Sequence, residues 1–295
     1  MSALLPEALL ERVLTKLGIP HRPEPTPRAL ALLYAAWCEK VPFDNVLKLI
    51  HAAASFPGPL PGNDAVDFFQ CWLRWGTGGT CWAGNGALQA LLATLGFPAR
   101  RGVGTMLVAP NVPPNHGTVV VDFGEALYLV DASMLHGEPL PVEKKRPTAI
   151  AHRAWGISCT SRDGRWHILW RPLHMPRGMD CSVYRLEELD APSTRFEELH
   201  ERTRAWSPFN FQLYVRQNRG AAVVGVACGR RVVFEPTGAV MHTPLDAEGR
   251  LRVLVEELGM SESVLRRLPP DRPTPPPPGS HTARRLAAQE IAAVA

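Results

Sequence analysis

The sequence predicts an α+β fold in which helices come first and strands follow. Three observations carry this. Apolar stripes at helical spacing fill the first hundred residues. From about Arg100, short runs rich in β-branched and aromatic residues alternate with turn residues. From Arg252 to Leu268 the helical pattern returns.

Leu5, Leu9, Val13 and Leu17 stand four residues apart, the spacing of one helical face. A second helix is expected from Pro27 to Lys40, with Leu30, Leu33, Tyr34 and Trp37 inward, and a third from Ala65 to Trp75. Between them, Pro57, Gly58, Pro59, Pro61 and Gly62 mark a loop. Another helix begins near Cys81, carries Ala87, Leu88, Leu91, Leu92 and Leu95 as its stripe, and stops at Gly96. Residues 117–121, 127–130, 166–170 and 211–234 read as strands of a barrel or meander. Seven prolines between Pro269 and Pro278 open a tail read as largely non-globular, with Arg284 to Val294 as a candidate terminal helix.

At 295 residues the chain can bury a sizeable core, and 45% hydrophobic with 20% charged residues is an ordinary globular composition. The formal charge of +4 is small and no dense Lys/Arg stripe interleaves with aromatics, so a nucleic-acid partner is not expected. Glu7, Glu11 and Arg12 interrupt the N-terminal apolar stretch, unlike a signal peptide, and no run approaches the roughly 20 apolar residues of a membrane span. The six cysteines form no CxxC pair, which favours free thiols and a cytoplasmic location.

Among those cysteines Cys81 stands apart. It follows Gly76-Thr77-Gly78-Gly79-Thr80 and opens a helix, where main-chain amides favour a thiolate and the glycines allow a tight turn. The competing reading is a buried structural thiol, which is assigned to the other five. Downstream, a two-residue turn at Phe123-Gly124 would pair Asp122 with Glu125 and set His116 directly opposite Asp131. Opposed residues have Cβ atoms about 4.5–5.5 Å apart, within reach of an imidazole–carboxylate hydrogen bond. Taken singly, each of the two reads more readily as a loop-edge residue.

The chain resembles the arylamine N-acetyltransferases. Thr77-Gly78-Gly79-Thr80-Cys81 with Asn85 is similar to the family's Arg-Gly-Gly-x-Cys segment and its nearby Asn. Asn115-His116 before a valine-rich strand, and Val130-Asp131 after Leu127-Tyr128-Leu129, match the family's His and Asp elements. Val41-Pro42-Phe43-Asp44-Asn45-Val46 resembles its Pro-Phe-Glu-Asn-Leu motif, and Ser207-Pro208-Phe209 its Ser-x-Phe segment. These five elements stand in family order over roughly residues 1–265.

The resemblance implies a helical bundle with the nucleophile (1–98), an antiparallel β-barrel with the His and Asp (99–200) and an α/β lid (201–268), which leaves the Pro-rich tail (269–295) outside it. It implies a cysteine-protease-like triad of Cys81, His116 and Asp131, acting by ping-pong acyl transfer from an acyl-CoA or acyl carrier protein thioester to a small-molecule amine, with amides near Cys81 as oxyanion donors. Phe43, Trp82 and Phe209 are the candidate substrate contacts; aromatics at such positions are equally often core. No permanently bound cofactor or metal is expected. His136, His167 and His174 lack metal-ligand spacing, and Asn85 reads as a structural tie between its helix and a loop.

The chain departs from the family in three places. Thr77 stands where the family has arginine, leaving Asp44 without that ionic partner unless Arg74 replaces it. Ala83 replaces an acidic residue, and Asp131-Ala132-Ser133-Met134 lacks the glycines that follow the family's Asp. These changes keep open an amide synthase that releases a polyketide or related chain from a carrier protein. A cysteine hydrolase or transglutaminase-like enzyme, and an inactive binding protein on the same fold, are the further alternatives.

Overall fold

The computed structural model describes residues 4–108, 112–173, 181–278, 280, 282–285 and 289. Its N-terminal third is helical, as the stripes require. α1 (Glu7–Leu17) buries Leu9, Leu10, Val13, Leu14 and Leu17 and ends on Gly18. α2 (Pro27–Lys40) starts with Pro27 at its first position, and the Thr26 side chain accepts the Ala29 N–H. β1 (Phe43–Asp44) and α3 (Val46–Ala53) follow; the sequence reading passed over both, because neither is long enough to show a period. α4 (Ala65–Trp75) is capped by Asp64, whose carboxylate accepts the Val66 and Asp67 N–H groups, and closes on Gly76 at φ 71°. α5 (Cys81–Thr94) is buried on almost every side, which marks a helix at the centre of the fold.

The next eight strands are β2 (Ala99–Met106), β3 (His116–Asp122), β4 (Leu127–Val130), β5 (Leu140–Pro141), β6 (Thr148–Ile150), β7 (Ile157–Arg162), β8 (Arg165–Trp170) and β9 (Ser182–Glu188). They form one antiparallel sheet in the order β5-β4-β3-β2-β9-β8-β7-β6, and its end strands β5 and β6 approach one another, so it is a nearly closed barrel. Val120, Leu129, Met134, Leu140, Ile157, Ile168 and Tyr184 fill it. The β2–β3 face lies against α5, which joins barrel to bundle.

α6 (Ser193–Arg202) then packs on α5. A second antiparallel sheet takes β10 (Tyr214–Arg219), β11 (Ala222–Ala227), β12 (Arg230–Phe234) and β13 (Val240–Pro244), and its edge is completed by β1 from the N-terminal third. Its apolar face is covered by α3 and the C-terminal turns, through Val46, Leu49, Leu254 and Leu258.

Two sequence expectations need correction, the C-terminal helix and the hairpin register. The single helix expected over Arg252 to Leu268 is broken: α7 (Ala247–Arg252) runs into a π-helical segment at Val253–Glu257, Gly259 adopts φ 68°, and α8 (Glu262–Leu265) restarts the chain. The start of the Pro-rich tail is bonded back to the segment before β10. Asp271 accepts the Leu213 N–H, and Arg272 donates its own N–H to the Phe211 carbonyl. Of the candidate terminal helix, residues 284 and 285 are helical and most of the rest lies outside the described residues.

The hairpin register also differs. Asp122 pairs with Leu127 and Val119 with Val130, so His116 is not directly opposite Asp131. The turn sits one residue later, at Gly124-Glu125, with Gly124 at φ 85° and the Phe123 N–H donated to Ala126. A glycine of positive φ suits the first loop position of a type II′ turn, whereas the expected turn would have put Phe123 there. The slip is two residues, an even number, so both side chains stay on one face. Among the described residues no helix is long and apolar enough to cross a membrane.

Candidate active site

Cys81 is the first residue of α5, buried to 8% exposure. Gly84 is the first to close a helical bond, onto Thr80, so the amides of Cys81, Trp82 and Ala83 have no intrahelical acceptor. The turn before it is held by close approach. Gly79 bridges Phe43 and accepts the Asp44 N–H. A Cβ on Gly78 would lie 1.8 Å from the Pro42 carbonyl oxygen, so only glycine fits there.

Where the family has an arginine, Thr77 is fully buried with its hydroxyl unpartnered. Asp44 receives two main-chain amides in place of a cation: Gly78 N–H to Oδ2 at 2.5 Å and Val46 N–H to Oδ1 at 2.9 Å. Arg74 does not pair with it, and its guanidinium lies over the Trp75 ring. Burial, only partly offset by those amides, pushes the Asp44 carboxyl up to about 7.

His116 opens β3 and Asp131 directly follows β4, both buried. Nε2 of His116 lies 2.7 Å from Oδ2 of Asp131, which leaves Nδ1 open, and the Cys81 sulfur is near enough to help raise the ring's pKa. Asp131 Oδ1 accepts the Ser133 N–H and hydroxyl at 2.9 and 2.5 Å and the Met134 N–H at 3.1 Å. Burial opposes charge on both partners, but their mutual attraction outweighs it. The imidazolium is held up to about 10, and the carboxyl well below the usual carboxylate range.

Asn85, one turn beyond Cys81, ties the parts together. Its Nδ2 donates to the Gly117 carbonyl at 2.7 Å and its Oδ1 accepts the Ala132 N–H at 2.9 Å, the structural role expected of it. The Tyr34 hydroxyl donates to the Asp131 carbonyl and accepts the Asp131 and His136 N–H groups. The sequence reading missed Tyr34 and Ser133. Ser133 was detectable, since Asp-x-Ser after a strand is a local side-chain turn; Tyr34 was not, because it acts 97 residues away.

Of the three aromatic candidates, Phe43 and Phe209 meet edge to face at 5.2 Å, with Tyr214 completing the cluster. Trp82 lies apart from them, at 2% exposure, against Phe196 and the bare Cα of Gly117. His136 is a buried packing residue whose ring lies tilted against Tyr34, His167 lies part-buried on β8, and His174 falls outside the described residues. Among the described residues no group of three or more His, Cys, Asp or Glu could hold a metal, and all six cysteines are free.

A family model described as N-acetyltransferase matches residues 28–202. No curated protein sequence matches at a significant level. Solved structures do. An arylamine N-acetyltransferase from Salmonella typhimurium superposes with a TM-score of 0.73 at 18% identity, covering 98% of this chain and 100% of the other. One from Mycobacterium smegmatis gives 0.71 at 22% identity, over 95% and 97% of the two chains. The Mycobacterium marinum enzyme in complex with CoA gives 0.73 at 19%, over 88% and 98%. With the family model spanning more than half of its length and these neighbours sharing its fold, the chain belongs to the arylamine N-acetyltransferase family.

Proposed function

We propose that the protein transfers an acyl group from acyl-CoA to a small amine through an acyl-cysteine on Cys81, by a ping-pong mechanism. The observation that carries this is the His116 ring, held at Nε2 by Asp131 and set against a cysteine at a helix N-terminus. Family membership supports acyl transfer, and the CoA complex of the Mycobacterium marinum enzyme supports the donor.

In the first half-reaction the Cys81 thiolate attacks the thioester carbonyl, with the free amides of the first α5 turn placed to donate to the oxyanion. A new S–C bond forms, the bond to the CoA sulfur breaks, and the leaving thiolate takes the His116 proton. In the second, an amine attacks the acyl-cysteine, neutral His116 accepts the amine proton, and the Cys81 thiolate departs from the amide. Asp131 stays ionised throughout and fixes the ring. Phe43 and Phe209 offer the apolar surface for the acceptor, while Trp82, packed on Phe196, is walled off from it.

Incubation with acetyl-CoA without acceptor, followed by intact mass measurement, tests the reading. It predicts one added acyl group, lost in Cys81→Ala and discharged as an amide when an arylamine is added. No adduct with any acyl-CoA would overturn it. Loading only from carrier-protein thioesters would assign the amide synthase chemistry, and release as free acid the hydrolase.

A further inference from the structure

Beside the nucleophile turn lies a shallow cleft with room for about one water, lined by Asp44, Lys48, Gly78, Thr80 and His200 among others. Thr80, the residue before Cys81, lines it, as do Lys48 of α3 and His200 of α6. Lys48 is the unusual member. Lysine is almost never fully buried unless paired, yet this one is 6% exposed.

Among the described residues its hydrogen bond runs from Nζ to the Thr203 hydroxyl at 2.8 Å. That hydroxyl donates its own proton to the His200 carbonyl, so it meets the ammonium only as a neutral acceptor. Among the described residues Lys48 has no carboxylate within ion-pair distance. The neighbouring charges are already engaged. Glu201 pairs with Arg204, which also reaches His51 and the Gly58 carbonyl. Asp44, which lines the same cleft, has one main-chain amide on each oxygen. His200 is buried and uncharged, because burial pushes it down to about 3, and its neutral ring offers an N–H. Two Lys48 N–H groups and the His200 ring are therefore open to the cleft. Lys48 lines the cleft together with Thr80, the residue before Cys81, so the ammonium stands beside the nucleophile turn.

We propose that Lys48, with His200 beside it, is a specificity-determining anchor for a carboxylate carried by the small molecule that reaches Cys81. A buried ammonium without a counterion is costly, and a substrate carboxylate supplies the missing partner through charge-assisted hydrogen bonds. The cleft has room for about one water, so a single carboxylate oxygen would take that place against the ammonium. The carboxylate belongs either to the acyl group, as in a dicarboxylic acyl-CoA, or to the amine acceptor, as in an aminobenzoate. For its chemistry this inference rests on the acyl-transfer reading.

Acylation of Cys81 is measured by intact mass with acetyl- and propionyl-CoA against malonyl- and succinyl-CoA, and discharge with aniline against 4-aminobenzoate. Wild type is expected to favour the carboxylated partner in one of the two steps by roughly 10- to 100-fold, the range of a hydrogen bond to a charged group. In Lys48→Met that ratio falls towards one, and in Lys48→Arg it is kept. A lysine that merely supports the thiolate or the fold would slow both partners alike and leave the ratio intact, which overturns the assignment. So does a wild type that shows no preference in either step, whatever the variants do. A separate arm needs no turnover: succinate should slow iodoacetamide alkylation of Cys81 in wild type and not in Lys48→Met. Protection without any acyl adduct would sink acyl transfer and keep the anion site; adducts without preference or protection would do the reverse.

Discussion

Both oxygens of Asp131 are occupied, by different parts of the chain. Oδ2 faces His116, and Oδ1 collects Ser133 and Met134 from its own turn. This turn stands where the family carries glycines, and its serine gives the carboxylate a third donor of its own. Replacing Asp131 by Asn keeps the shape and removes the charge. The ring then loses the partner that fixes its tautomer, and the amide NH2 would face the imidazole. On the proposed mechanism Asp131→Asn lowers kcat by roughly 10^3- to 10^4-fold, by analogy with the Asp-to-Asn change in a serine-protease triad. Acyl loading of Cys81 in stopped-flow would check this. Loading at the wild-type rate would remove Asp131 from the mechanism. The His–Asp relation was half legible in the sequence. Counting from a turn gave the right face but the wrong partner, because Gly124 takes the loop position that needs positive φ.

At the scale of elements, the nucleophile turn depends on β1, a strand of two residues. Gly78 lies so close to Pro42 that any side chain would occupy the carbonyl oxygen's place. Gly78→Ala must therefore push the turn away from β1 and with it loosen the Gly78 bond to Asp44. An expected cost of about 3 kcal/mol, in the range of overpacking plus an unsatisfied buried carboxyl, would be seen as a lower urea midpoint. Cys81 alkylation should slow in the folded fraction. A midpoint within 0.5 kcal/mol of wild type, roughly the scatter of neutral surface changes, would show that the turn tolerates movement. The helices framing this turn were legible to the residue, since Pro27 and the cap residues Asp64 and Gly76 write their own limits. β1 and α3 were not. Two extended residues and an eight-residue helix owe their form to the second sheet, whose β10 strand lies 170 residues later in the chain.

Across the whole molecule, several buried titrating groups set one stability profile. His116 has its folded pKa raised to about 10, so its contribution is complete below its unfolded value of about 6.5 and is lost as pH rises. Asp44, raised to about 7, stays protonated in the folded chain while the unfolded one ionises from about 4, so stability falls with pH across that interval. His136 and His200 act in the opposite sense. Burial lowers them to about 4 and about 3, the unfolded chain binds their protons first, and stability falls as pH drops below about 6.5. Asp131, held below the usual range, adds to the same acid limb. Below about 6.5 two histidines outweigh one carboxyl, and above it His116 dominates until Lys48, lowered to about 8, begins to offset it. Stability should therefore peak near pH 6.5 and fall by about 2 kcal/mol by pH 8, at about 1.36 kcal/mol per unit for one proton. Urea midpoints between pH 5 and 9 measure this directly. His116→Gln should flatten the limb above the peak while leaving the acid limb steep. A wild-type profile that climbs from pH 6.5 to 8 would mean that the buried imidazolium does not govern it.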